Sequence, residues 1–213
     1  MPVRKITNTG TQKNTGLVPS YKNERPIAYE SLLERDCIYL FEFNDSVLSY
    51  SEQPFKINYN IGKKSCIYTP DFQVNYKNGT VVIYEVKPQS KWDKIKESPD
   101  KYIKYLAASK YCVANGFEFR VLIDTEIRSG YVLKNIKYLY GYSRIEVPAS
   151  IKMNLNNVLC LKSNMRISDL IILLSEQNND SKQNYRYILS LLYSKYVKTD
   201  LDTPISMSSL IYK

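Results

Sequence analysis

The chain has 213 residues and a formal net charge of +9, from 30 Lys and Arg against 21 Asp and Glu. This excess of positive charge favours a polyanionic partner such as nucleic acid. The sequence contains no histidine, which excludes Ser-His-Asp and Cys-His catalysis and every histidine-ligated metal site. Acid–base or metal chemistry must therefore come from carboxylates, lysine, tyrosine or bound water.

The cysteines and the apolar runs indicate the cellular compartment of the protein. Its four cysteines form no Cys-x-x-Cys pair, which excludes zinc-ribbon and redox-motif spacing. The longest apolar run, at 170–174, is far shorter than the ~20 residues of a membrane span. The first 25 residues hold no hydrophobic segment, so we expect no secretory signal. These features together predict a cytoplasmic protein without membrane association.

Composition divides the chain into three parts. Residues 1–29 hold five basic residues and one acidic residue and are predicted to form a basic arm. This arm is either a solubilising tail or a strand that lies along a DNA backbone. Residues 30–147 carry alternating helix and strand patterns, and residues 148–213, which begin at Pro148, are mainly helical in pattern.

Within 30–147 the apolar periodicity predicts an α/β domain. A helix is expected from Glu30 to about Phe43, followed by a short strand at 47–50. Three longer strands are then predicted at 55–61, 67–76 and 80–87, a helix at 100–115, and a last strand at 117–123. The order is therefore a helix, a three-strand meander, a helix and a strand.

The hairpin around Asn78-Gly79 fixes which residues meet. A three-residue loop, with Gly79 in the left-handed conformation, pairs Phe72 with Tyr84 and Asp71 with Glu85. A two-residue loop would instead mix apolar and charged residues on each face, and burial of one face fixes register strongly. We therefore predict that Asp71 and Glu85 are neighbours, with Lys87 one step along the same face.

Two adjacent carboxylates and an amine suggest a metal site. The carboxylates repel unless a cation lies between them, and Mg²⁺ prefers one or two carboxylates with water and phosphate oxygens. The pattern Asp71 … Glu85-x-Lys87 is the signature of metal-dependent nucleases, in which the lysine orients or activates water or neutralises charge in the transition state. The alternative is an exposed cross-strand salt bridge worth roughly 0–1 kcal/mol.

Five motifs, in matching order and spacing between about Arg25 and Leu139, resemble the TnsA family of transposon endonucleases. They are Glu30-Ser31-Leu32-Leu33-Glu34-Arg35-Asp36, Phe41-Glu42-Phe43, Ser51-Glu52-Gln53-Pro54, Tyr68-Thr69-Pro70-Asp71-Phe72 and Glu85-Val86-Lys87-Pro88. The resemblance implies a restriction-endonuclease-like core of the PD-(D/E)xK superfamily that cleaves DNA at the 5′ ends of a transposon. It also implies Mg²⁺ or Mn²⁺ as cofactor, transposon-end DNA as substrate, and a TnsB-like transposase and a TnsC-like ATPase regulator as partners.

The family's catalytic positions fall on Glu34, Asp71, Glu85 and Lys87, with the three acids as metal ligands. Glutamine can stand at the position of Glu85 in this family, so the glutamate is a mild departure toward the general nuclease pattern. Glu34 has an alternative interpretation, because Ser31-x-x-Glu34 also fits a helix capping box. Glu30, one turn earlier, is a further candidate.

Three other residues are candidate DNA contacts. Gln53 precedes the first long predicted strand, and the resemblance suggests that it lies near the metal or the DNA backbone; the alternative is a simple turn. Lys91 and Lys94 follow the predicted active lysine and are plausible phosphate contacts, although such a lysine-rich run is usually a solvated helix face.

The C-terminal part is predicted to contain two helices, at 167–174 and 185–196, and a short wing or extended tail at 200–205. It is interpreted as a small, mainly α, winged-helix-like module. In the TnsA family the equivalent region is thought to dock partner proteins.

Two other functions remain open at this stage. A phage, repair or restriction nuclease of the same fold would share the Asp … Glu-x-Lys pattern. A non-catalytic module that binds DNA or protein is also possible, although all four candidate catalytic residues are present.

Overall fold

A computed structural model describes residues 14–213, with the side chains at 177 and 178 left out. The chain divides into two units, one ending at Ser129 and one from Gly130 to Lys213. The sequence placed this boundary at 147/148. It lies earlier because the helix α5 (Val132–Tyr140) belongs to the second unit, where Leu139 is part of the hydrophobic core.

The first unit begins with a hairpin, β1 (Gly16–Ser20) and β2 (Arg25–Tyr29). Val18 and Ile27 of this hairpin are buried. The described part of the predicted basic arm is therefore a packed hairpin, while residues 1–13 lie outside the described range. Arg25 forms two hydrogen bonds to Glu52, with N–O distances of 2.9 and 2.6 Å, and so ties the hairpin to the neighbouring strand.

The first helix, α1 (Leu32–Phe43), begins two residues later than predicted. Ser31 is its N-cap, since the hydroxyl oxygen accepts a hydrogen bond from the Glu34 N–H at 3.2 Å. Phe41 packs on the sheet, with ring centroids 5.5 Å from Phe72 and 5.6 Å from Tyr84. This helix therefore covers one face of the sheet.

The sheet has four strands, in the order β3 (Val47–Glu52), β6 (Phe72–Tyr76), β7 (Val81–Lys87) and β8 (Glu118–Ile123). The first three are antiparallel and form a meander, and β8 runs parallel to β7. The crossover between β7 and β8 contains α2 (Gln89–Lys96) and α3 (Pro99–Ala114), and the short helix α4 (Asp124–Ile127) follows β8. Phe119 on β8 lies 6.5 Å, ring to ring, from Tyr105 on α3, so α3 covers the opposite face from α1.

One strand of the predicted meander lies outside the four-stranded sheet, so that part of the prediction was wrong. The strand predicted at 55–61 is β4 (Ile57–Ile61), and it pairs with β5 (Lys64–Tyr68) in a separate hairpin rather than in the sheet. The predicted strand 67–76 is accordingly broken between Tyr68 and Phe72. Ile57 and Tyr68 pack against Ala108 of α3, which explains why an alternating apolar strand is needed there.

The second unit contains four helices among the described residues: α5, α6 (Ala149–Leu161), α7 (Ile167–Asn178) and α8 (Ser181–Tyr193). Two short strands, β9 (Asn164–Arg166) and β10 (Leu210–Tyr212), pair antiparallel. The helix α6 was not predicted from the sequence, although Ile151, Leu155 and Leu159 recur every four residues and are buried. A winged-helix-like assignment for this unit remains a prediction.

Residues 200–205, predicted as a wing or tail, form no strand. The buried Asn135 holds this segment, because its amide donates to the carbonyl oxygens of Leu201 at 2.8 Å and Thr203 at 2.7 Å. Its side-chain oxygen accepts from the Ile205 N–H at 3.2 Å. Of the helices in residues 14–213, none is long and apolar enough to cross a membrane.

Candidate active site

The β6–β7 hairpin positions the central residues of the site. Its register pairs Phe72 with Tyr84 and Val74 with Val82, as the three-residue loop predicts. Gly79 has a φ of +86°, the left-handed conformation that this loop requires. The Asp71 N–H donates to the Tyr84 carbonyl at 3.1 Å, which extends the register to the residue before β6.

Asp71 and Glu85 are joined by one ammonium group. Lys87 Nζ lies 2.6 Å from Glu85 Oε1 and 3.5 Å from Asp71 Oδ2. Asp71 Oδ2 also accepts a hydrogen bond from the Val86 N–H at 2.7 Å. The structure therefore brings Asp71, Glu85 and Lys87 together on the sheet face opposite α1, as the alternation of the strands predicts.

Two tyrosines hold the Glu85 carboxylate and were not found from the sequence. The Tyr68 hydroxyl donates to Oε2 at 2.5 Å, and the Tyr105 hydroxyl donates to Oε1 at 3.4 Å. Together with Lys87 they enclose Glu85, which is only 2% exposed. Tyr105 could have been found as a core residue, since it shares a helical face with Ala108 and Cys112. Tyr68 belongs to one of the five motifs, but its role could not be predicted, because the break before Phe72 interrupts the strand alternation.

Glu34, in the first turn of α1, makes its hydrogen bonds locally. Oε1 accepts from the Ser31 hydroxyl at 2.9 Å, and Oε2 accepts from the Glu30 N–H at 2.7 Å. These contacts resemble those of a capping box, one of the two roles that the sequence left open. The carboxylate still lies close enough to Asp71 and Lys87 to change their electrostatics, so it borders the cluster without contacting it.

Burial raises the pKa of two of the acids. Desolvation raises the pKa of Asp71 well above its ordinary value, and the charges of Glu85 and Glu34 act in the same direction. Desolvation likewise raises the pKa of Glu34, against the hydrogen bonds from Glu30 and Ser31 and the charge of Lys87. A cation near these groups would favour their ionised forms.

Lys87 keeps its proton in this environment. Burial alone would lower its pKa, but the carboxylates of Asp71 and Glu85 outweigh burial and raise the pKa above the ordinary lysine value. The side chain is therefore an ammonium group at neutral pH. It can stabilise negative charge or orient water, but it cannot accept a proton as a general base.

The donor chemistry fits a divalent cation in part. Asp71 and Glu85 supply the one or two carboxylates that Mg²⁺ prefers. Within residues 14–213, however, no three Asp, Glu or Cys side chains converge as a metal cluster. Instead, the Glu34 carboxylate accepts hydrogen bonds from the Ser31 hydroxyl and the Glu30 N–H, and the Lys87 ammonium lies between the other two acids.

Gln53 lies beside the site through its backbone. It follows β3 directly, has a φ of +44°, and donates its N–H to the Asp71 carbonyl at 2.9 Å. Its side chain is buried, and Oε1 has no hydrogen-bond partner among the described residues. Lys91 and Lys94, the other candidate DNA contacts, are exposed on α2, which follows the strand that carries Lys87.

Two acids in the motifs of the resemblance have structural roles. Glu42 is buried and accepts hydrogen bonds from the hydroxyl groups of Tyr50, at 2.7 Å, and Ser20. Glu52 is buried against Arg25, and this pairing lowers the pKa of Glu52 although burial opposes it. Both acids tie the N-terminal hairpin to the sheet and α1, and neither belongs to the cluster around Lys87.

Comparison with known proteins gives one result for this region. A search of curated proteins found no significant match. The family of TnsA-like endonuclease N-terminal domains matches residues 44–124, which is less than half of the chain. The match contains Asp71, Glu85 and Lys87 and ends before the second unit. Residues 44–124 are therefore similar to the N-terminal domains of TnsA-like endonucleases.

Proposed function

We propose that the protein is a metal-dependent DNA endonuclease that cuts at the 5′ ends of a transposon, as one subunit of a heteromeric cut-and-paste transposase. The observation that carries the proposal is the convergence of Asp71, Glu85 and Lys87 within a region similar to the N-terminal domains of TnsA-like endonucleases. The net charge of +9 agrees with a polyanionic substrate.

Asp71 and Glu85, with Glu34 at the border, would hold Mg²⁺ or Mn²⁺. The bound cation would act as a Lewis acid on the phosphate and make a bound water more acidic. The Lys87 ammonium would stabilise the negative charge that develops on the phosphate oxygens. Tyr68 would fix the orientation of the Glu85 carboxylate. Water attack on phosphorus would break the bond to the 3′ oxygen and leave a 3′-OH and a 5′-phosphate.

The partner proteins are proposed from the resemblance to the TnsA family alone. A TnsB-like transposase would cut and join the 3′ ends, and a TnsC-like ATPase would regulate the assembly. If the protein instead belongs to a phage, repair or restriction system, its gene neighbours would lack an integrase-type transposase and an ATPase.

A cleavage assay on transposon-end DNA tests the proposal, with and without the neighbouring transposase. We expect cutting in Mg²⁺ or Mn²⁺, none in EDTA, and loss of cutting in Asp71→Ala with retention of the fold. Asp93→Ala is the matched control, because Asp93 pairs with Lys96 on the exposed face of α2. Wild-type cutting by Asp71→Ala would refute the proposal.

A non-catalytic assembly module is the second candidate. It is favoured by one observation, the lack of a three-ligand cluster among the described residues. Calorimetric titration with Mn²⁺ separates the two functions. A nuclease should bind the ion in the wild type and lose affinity in Glu85→Ala, whereas an assembly module should give no binding heat in either protein.

A further inference from the structure

A cleft of about 420 Å³ lies between α2, α3 and β4. Four lysines line it, Lys91 and Lys94 from α2 and Lys101 and Lys104 from α3. Within each helix the two lysines are three residues apart, so they project from the same side. The arrangement concentrates four ammonium groups around one opening.

This positive charge is largely uncompensated. Asp100 is the acid in the lining, and within residues 14–213 none of the four ammonium groups lies in ion-pairing distance of a carboxylate. Lys96 on the same helix shows the contrast, since it pairs with Asp93 at 2.9 Å and lies outside the cleft. Like charges gathered without partners raise the local concentration of anions.

The cleft adjoins the candidate active site through two aromatic rings. Lys104 Nζ lies 5.4 Å from the ring centre of Tyr68 and 4.7 Å from that of Tyr105. The hydroxyl groups of the same two tyrosines donate to Glu85. A ligand in the cleft would therefore lie one aromatic ring away from the candidate catalytic carboxylate.

We propose that this lysine cleft is a subsite for the phosphodiester backbone of DNA, next to the phosphate that is cleaved. The inference rests on the proposed nuclease function and deepens it, because it adds Lys101, Lys104 and Tyr59 to the expected contacts of Lys91 and Lys94. Lysine binds phosphate as a point charge, and the volume exceeds that of one phosphate group, which suits a nucleotide unit of a strand.

The test compares two double variants with the same change in net charge. Lys94→Gln/Lys101→Gln removes one ammonium from each wall of the cleft. Lys96→Gln/Lys110→Gln removes one from each of the same helices, outside the cleft. All four side chains are exposed, so we expect both variants to fold, which circular dichroism checks.

Binding of a labelled DNA duplex is measured by fluorescence anisotropy across a salt series in EDTA. Each lost phosphate contact reduces the slope of log K against log salt by about 0.9. We expect the cleft variant to lose about two units of slope and the control variant to keep the wild-type value. Equal slopes in the two variants would overturn the inference, because the charge effect would then be diffuse.

Inorganic phosphate distinguishes a backbone subsite from a small-anion site. At constant ionic strength we expect phosphate to leave the bound duplex in place. Binding of phosphate to the wild-type cleft without DNA, together with equal duplex slopes in the two double variants, would overturn the assignment to DNA in favour of a small-anion site. Binding is measured in EDTA and needs no cleavage. If the cleft variant has a reduced slope but the wild-type protein never cuts DNA, only the proposed activity is refuted. If the wild-type protein cuts DNA but the cleft variant binds DNA with an unchanged slope, only the assignment of the cleft is refuted.

Discussion

Replacing Lys87 by methionine tests the central feature of the site, an ammonium group between two acids. Methionine keeps an unbranched side chain, shorter by one atom, and removes its charge. Lys87 Nζ lies 2.6 Å from Glu85 Oε1 and 3.5 Å from Asp71 Oδ2, so the variant leaves two neighbouring carboxylates without their cation. We expect a large loss of stability, because an unpaired buried charge is costly.

The magnitude follows from burial. Removing one partner of a buried ion pair costs about 3–5 kcal/mol. Glu85 is almost fully enclosed, whereas Asp71 already has a raised pKa and can take up a proton when the cation is lost. Proton uptake limits the cost, so we expect the lower end, about 3 kcal/mol at pH 8.

The pH dependence has a definite sign. The folded-state pKa of Lys87 is raised, so its contribution to stability is fully present below the unfolded pKa and is lost only as the pH rises through the folded one. In the wild type this contribution is therefore constant between pH 5 and pH 8. In Lys87→Met the repulsion is relieved as Asp71 protonates, so the loss of stability should shrink as the pH falls.

Urea unfolding followed by circular dichroism measures these free energies at both pH values. Lys96→Met is the control, because Lys96 and Asp93 form a solvent-exposed ion pair, which contributes little to stability. This role of Lys87 is refuted if Lys87→Met lowers the free energy of unfolding no more than the control does. It is also refuted if the loss is the same at pH 5 and pH 8, because the ammonium would then not hold the two acids together.

Three further variants test neighbouring features by urea unfolding. Asp71→Asn should be more stable than the wild type at alkaline pH, since burial raises the pKa of Asp71 and its ionised form therefore destabilises the fold, and this gain should shrink as the pH falls below that pKa. Tyr68→Phe should lose about 1–3 kcal/mol, because a buried oxygen of Glu85 loses its donor; wild-type stability would contradict that bond. Gly79→Ala should lose about 1 kcal/mol from its φ of +86°, and no loss would contradict the loop conformation.

The register of the β6–β7 hairpin could be predicted from sequence because it depends on local information. Alternating apolar residues in both strands and a glycine in the loop leave one arrangement in which the apolar side chains share a face. The adjacency of Asp71 and Glu85 follows from that register alone, and the observed pairing of Phe72 with Tyr84 agrees with it.

Strand partners could not be predicted in the same way. The alternation at 55–61 identifies a half-buried strand, but periodicity does not say which surface buries it. In the structure α3 supplies that surface, through Ala108, and β3 takes the place in the sheet that the prediction gave to this strand. The tight turn between β4 and β5, where Gly62 has a φ of +58°, was the overlooked signal for a separate hairpin.

The environment of Glu85 depends on residues that are distant in the sequence. Tyr68 comes from the separate hairpin and Tyr105 from α3, and both reach Glu85 only after the sheet and the crossover have formed. The choice between the two roles of Glu34 likewise depends on where α1 begins. A motif identifies the candidate acids, whereas their hydrogen bonds and pKa shifts require the fold.

In the first unit, the cluster of Asp71, Glu85 and Lys87 places buried charges where they lower the stability of the fold. Ser31 caps its helix, and Gly116 ends another with a φ of +72°, so these local choices agree with the fold. Around Lys87 the local charges oppose folding instead. Burial raises the pKa of Asp71 and Glu34, so the ionised forms of both acids are disfavoured in the folded protein. Perturbed acids that weaken a fold are typical of functional sites, since function rather than stability retains them.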